Sequence, residues 1–152
     1  MSMFHRSIKT LMGAGSPDLK TGLSISHYSF GVNMSDQKIS MYTSDGDMLI
    51  VPQIGVLHVT TEFGKLRVAP KEVVIIQRGM KFSVDLATGE FAGRGWIAEC
   101  FKGHFVIPDL GPIGSNGLAN ERDFSSPVAA YEQTSERWTV VNRFMGKTFS
   151  YT

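Results

Sequence analysis

Apolar residues along this chain come in short, alternating segments rather than long runs. Residues 72–84, EVVIIQRGMKFSV, show the pattern: Val73 to Ile76 meet Gln77-Arg78-Gly79, and Phe82, Val84 and Leu86 then share one parity. Alternation at period two marks a half-buried strand, and a short apolar run between turn residues marks a buried one. The same reading predicts strands near 22–30, 38–43, 48–51, 55–61, 65–69, 72–77, 80–86, 95–101, 103–107 and 138–144. Asp45-Gly46-Asp47 is a hairpin-type turn signal. Glu62-Phe63-Gly64-Lys65 joins two strands with a glycine free to adopt positive φ. Gly13-Ala14-Gly15, followed by Ser16-Pro17-Asp18, reads as a turn. No segment sustains a helical period with caps at both ends. The expected fold is therefore all-β, a barrel or sandwich with little helix.

After Pro108 the texture changes. Residues 109–120, DLGPIGSNGLAN, carry Gly111, Gly114 and Gly117 and no alternation, so a long loop is expected there. Loops of this length in compact domains are usually functional or wrap another surface. Gly111, Pro112, Gly114, Asn116, Gly117 and Asn120 are accordingly candidates for a site wall or an interface. The chain becomes strand-like again at Trp138-Thr139-Val140-Val141 and stops at Tyr151-Thr152, as an edge cut from a larger unit would.

Composition narrows the classes. The 152 residues fit a single domain, with 42% hydrophobic and 19% charged residues, as in ordinary globular chains. A net charge of +1 offers no electrostatic case for nucleic acid. Apolar runs of about four residues fall far short of the ~20 that span a membrane as a helix. One cysteine, Cys100, excludes an internal disulfide, and no apolar block near the start resembles a signal peptide. Both point to a cytoplasmic setting. Cys100 shares its strand parity with Ala98 and reads as a small strand residue.

Candidate chemistry is sparse. A metal site in a β-barrel needs two or three His and a carboxylate converging from neighbouring strands. Metal-binding barrels of the cupin kind supply them from two patterns. The first is a glycine, five residues, His-x-His and a further Glu or His; starting from Gly46 it falls on Pro52, Ile54 and His58. The second is Pro-x-Gly, two residues, then His; it falls on Gln77-Arg78-Gly79 and Phe82. Three of those four positions cannot ligate, and His5, His27 and His104 show no metal spacing, so no metal residues are expected in this chain. There is no Gly-x-Ser-x-Gly, and no Lys-Ser/Thr follows the glycines at 111–117, so neither a nucleophile elbow nor a phosphate loop is expected. Gln77, Arg78 and Lys81 bracket one turn, and Arg78 and Lys81 could face a small anion.

Three stretches are more specific than these tests: YTSDGDMLIVPQIG at 42–55, TEFGKLRVAPKEVVIIQRGMKFSVD at 61–85, and PDLGPIGSNGLANERDF at 108–124. In collinear order, from about Phe4 to Phe149, the chain resembles the homogentisate 1,2-dioxygenase family. The resemblance implies a cupin-like fold of the double-stranded β-helix or jelly-roll type, and a place in the N-terminal region of a longer, two-part enzyme. It implies a function in tyrosine and phenylalanine catabolism: iron(II)- and O2-dependent ring cleavage of homogentisate to maleylacetoacetate. In that family two His and one Glu of the C-terminal part hold Fe(II), one His lying six residues before the Glu. Six residues after each His here stand Leu11, Asn33, Gly64 and Leu110, so no ligand carries over. The resemblance thus implies a scaffold that binds no iron alone, partnered by the C-terminal part and by further subunits of a homo-oligomer. The alternative is a degenerate, metal-free cupin serving as a small-anion binding or oligomerisation module.

Overall fold

The computed structural model describes residues 1–107, 123–133 and 135–152. A short helix α1 (Phe4–Ser7) precedes the strands β1 (Lys9–Ser16), β2 (Thr21–Phe30), β3 (Ile39–Thr43), β4 (Asp47–Ile54), β5 (Leu57–Thr61) and β6 (Gly64–Val68). There follow β7 (Val74–Ile76), β8 (Phe82–Leu86), β9 (Gly93–Cys100), β10 (Thr139–Phe144) and β11 (Lys147–Tyr151). They form two sheets, in the orders β1-β2-β9-β4-β7 and β11-β10-β3-β8-β5-β6.

The topology is a rolled-up hairpin. β5 pairs with β6, β4 with β7, β3 with β8 and β2 with β9, all antiparallel. This nested ribbon closes on itself through β4·β9 and β5·β8. Eight strands in two sheets joined in this way are the jelly roll, so the all-β, cupin-type expectation holds. β1 extends one sheet, and β10 extends the other by lying parallel to β3, with β11 outside it.

Inward parities supply the core. β8 directs Phe82 and Val84 inward and β5 directs Leu57 and Val59, all no more than 1% exposed. From the facing sheet come Tyr28, Met48, Ile50 and Ile97. α1 lays Phe4 among the rings of Tyr28, Phe30 and Phe82, at centroid distances of 4.9, 5.6 and 6.4 Å. Tilted and edge-on ring pairs at these distances add to plain area burial. Gly95 is required by close approach: a Cβ there would lie 2.2 Å from the Val51 carbonyl oxygen and 2.5 Å from the Tyr28 hydroxyl.

The structure corrects five local expectations. Gly13-Ala14-Gly15 is not a turn but part of β1; the reversal lies at residues 17–20, where the Lys20 N–H donates to the Pro17 carbonyl. β1 carries no buried apolar parity that could announce a strand. β11 was likewise not expected, for all five of its residues are exposed. Residues 103–107 form no strand, because the Phe105 N–H donates to the Asp47 carboxylate instead of a ladder. Asp45-Gly46-Asp47 and Gln77-Arg78-Gly79 do turn the chain, but each carries it from one sheet to the other and not into a hairpin. Glu62–Lys65 is a true hairpin, with Gly64 at φ +134°.

Candidate functional site

The positions that would hold a metal in a cupin do not converge. Pro52 is buried in β4 opposite Gly95, whereas Ile54 is 48% exposed. His58 is exposed on the outer face of its sheet, between Arg67 and Asp85 on the neighbouring strands. Phe82 points the other way, into the core. Among the described residues no three His, Cys, Asp or Glu side chains are grouped to hold a metal ion.

Arg78 and Lys81 are both exposed, on the crossover between β7 and β8. Two carboxylates approach the same crossover: Asp47 Oδ1 accepts the Arg78 backbone N–H at 2.8 Å, and Glu62 Oε1 accepts that of Lys81 at 3.0 Å. Gly111, Pro112, Gly114, Asn116, Gly117 and Asn120 lie outside the described residues.

The most developed polar constellation is one that sequence reasoning passed over. Glu99 of β9 is 2% exposed and Arg143 of β10 is 8% exposed, and they meet between the sheets. Thr43 Oγ1 donates to Glu99 Oε1 at 2.6 Å, and Arg143 Nε faces Glu99 Oε2 at 3.3 Å. Arg143 Nη2 also donates to Thr10 Oγ1 at 3.4 Å, which ties β10 to β1. Burial raises the Glu99 carboxyl above its ordinary range, against the opposing pull of Arg143 and of the Thr43 hydrogen bond.

Two further buried carboxylates clip loops at the same end. Asp45 accepts the backbone N–H of Met145 at 2.7 Å and of Gly146 at 3.1 Å, fixing the β10–β11 turn. Asp47 accepts those of Arg78 and Phe105 and contacts His104 Nδ1 at 3.1 Å. A shallow groove of about 360 Å³ opens above this end, with Ser24, Thr10, Glu99 and Arg143 among its walls. The carboxylate oxygens are engaged by amides, a hydroxyl and a guanidinium. This arrangement is suited to hold three chain crossings together. Parity could have revealed it: Glu99 shares the inward parity of Ile97, and Arg143 that of Val141.

A family model described as homogentisate 1,2-dioxygenase N-terminal matches residues 2–152. The chain belongs to this family. Homogentisate 1,2-dioxygenase of Dictyostelium discoideum is 49% identical over 150 residues, covering 98% of this chain and 34% of that protein. The protein of the same name from Homo sapiens is 48% identical over 149 residues, covering 97% and 32% respectively. The chain therefore spans about a third of the length of the curated relatives it matches. Among solved structures, the Schizosaccharomyces pombe Cnp3 cupin domain aligns with 61% of this chain and 59% of its own at 18% identity, with a TM-score of 0.49. Among the described residues of this family member, no helix is long and apolar enough to cross a membrane.

Proposed function

We propose that this chain is the metal-free supporting barrel of a homogentisate 1,2-dioxygenase, whose full-length reaction opens the ring of homogentisate with O2 to give maleylacetoacetate. The observation that carries the reading is the mismatch at the ligand positions within a chain the family matches from residue 2 to 152. Phe82 packs the core, Ile54 and His58 face outward, and Pro52 has no donor. These residues do not fit iron(II), so no step of ring opening is assigned to them. The iron-bearing residues belong to the rest of the longer protein, and this barrel supplies a rigid wall and contact surface for it in a cytoplasmic oligomer. The segment from Gly111 to Asn120 belongs in this reading to such a wall or subunit contact.

The test is iron content and homogentisate-dependent oxygen uptake of the purified 152-residue chain beside a full-length relative. The expected result is no stoichiometric iron and no turnover from the chain alone. One tightly held iron with oxygen consumption would overturn the reading. The exposure of Arg78 and Lys81 on one crossover favours a second reading, a small-anion module. It requires inorganic phosphate binding that disappears in the Arg78→Ser/Lys81→Ser variant.

A further inference from the structure

The two sheets differ in what they show to the outside. On the six-stranded sheet the outward parities of β5, β6 and β8 carry Lys65, Arg67, His58, Thr60 and Asp85, a polar face suited to water, while Tyr42, Val140, Phe149 and Tyr151 gather at its β3–β10–β11 edge. The five-stranded sheet is apolar on its outer face across every strand. One row in register across all five strands reads Met12, Ile25, Ala98, Leu49, Ile75. The neighbouring row reads His27, Trp96, Val51, with the His27 and Trp96 rings 5.4 Å apart. Met12 is 63% exposed, and Trp96 and Ile75 are each 41% exposed. A sandwich sheet with one solvated face normally alternates apolar-in and polar-out. Here both faces of the same sheet are apolar, the pattern of a sheet covered on both sides.

We infer that the outer face of the five-stranded sheet is the docking surface for an apolar element of the remaining polypeptide of the longer dioxygenase. This rests on the reading of the chain as one part of that enzyme. One observation favours this occupant over a separate copy. The curated relatives are about three times as long, so they carry ample chain to cover the face. A covalently connected partner needs less area than a separate one, because the connection raises its effective concentration.

The experiment is site-resolved thiol labelling. Residues 2–152, carrying Cys100→Ser, replace the matching segment of the Dictyostelium relative. Single variants Ile75→Cys, Trp96→Cys and, on the polar face, Arg67→Cys are labelled with a soluble maleimide and read by peptide mass spectrometry. The same variants are labelled in the 152-residue chain. The expected result is labelling at Ile75→Cys and Trp96→Cys at least 10-fold slower in the long protein than in the chain alone, with Arg67→Cys unchanged. Equal rates in both settings overturn the inference. So does protection already present in the chain alone: it assigns the cover to a second copy if it rises with concentration, and to this chain itself if it does not. Oxygen uptake with homogentisate separates the two failures. An active chimera with a freely labelled face sinks the docking surface only. An intact, iron-loaded but inactive chimera sinks the functional reading, and the inference with it.

Discussion

Replacing Phe82 by alanine is the most direct probe of the core that stands where a cupin would keep a ligand. The side chain is 1% exposed, and its ring meets Phe4 edge-on at 6.4 Å. A buried aromatic ring removes about 150–250 Å² from water. At ~25 cal/mol per Å² this is roughly 4–6 kcal/mol, of which the alanine methyl retains a part. Truncation of buried Phe by experience costs about 3–5 kcal/mol, cavity included. Such a loss is a large fraction of the ~5–15 kcal/mol that holds a domain of this size. With a urea slope of about 2 kcal/mol per M, the midpoint should fall by roughly 1.5–2.5 M with little change in slope. Phe82→Leu, which keeps most of the volume, should fall by less than half as much. Phe82→His should also destabilise, because its imidazole would enter an apolar setting without a partner. Equilibrium urea unfolding followed by tryptophan fluorescence supplies all three midpoints. Unchanged midpoints in both the alanine and histidine variants would refute the assignment of Phe82 to the core.

Other expectations concern the polar end and one hairpin. Because the folded state raises the Glu99 carboxyl, it binds that proton more tightly than the unfolded chain does. The associated stability is full below the ordinary carboxylate range and is lost as pH rises through the raised value. Relative to the non-titrating Glu99→Gln variant, wild type should lose stability as pH rises from acidic to neutral, and a wild type that gains on the variant with rising pH would contradict it. At neutral pH, Arg143→Met should cost about 3–5 kcal/mol by stranding the carboxylate, and Arg143→Met/Glu99→Met should cost less than that single change. Gly64→Ala should cost about 1–3 kcal/mol, since φ is +134° and the new Cβ would meet the Val128 carbonyl oxygen at 2.0 Å. Loss of slow amide exchange at the Lys65–Val128 bridge would accompany it, and an unchanged exchange pattern would count against the close approach.

The strands from β2 to β9 were legible because each buries one parity against the other sheet, so burial writes a period of two into the sequence. β1 and β11 were not, because pairing alone makes them strands and leaves their side chains exposed. Turn residues at 45–47 and 77–79 signalled reversals, but turn chemistry is local and does not say which sheet receives the next strand. The absence of ligand types at Pro52, Ile54 and Phe82 was readable; that Ile54 and His58 face outward was not, since their orientation depends on register. The buried Glu99 and Arg143 lay within reach of parity arguments. Neither belongs to a ligand spacing, and only their place on apolar parities marks them in the sequence. Family membership came from whole motifs, which encode many such constraints at once.

The parallel pairing of β10 with β3 has a consequence for the order of assembly. The nested ribbon can close outward from the β5–β6 hairpin through contacts of steadily growing loop length, each costing only a little more entropy than the last. β10 enters from about a hundred residues beyond its partner, with Thr139 beside Ile39. Arg143 arrives with it. Until that strand docks, Glu99 lacks its cation, and burial between the sheets disfavours its charged form. Completion of the second sheet and the arrival of the counter-charge are thus one event.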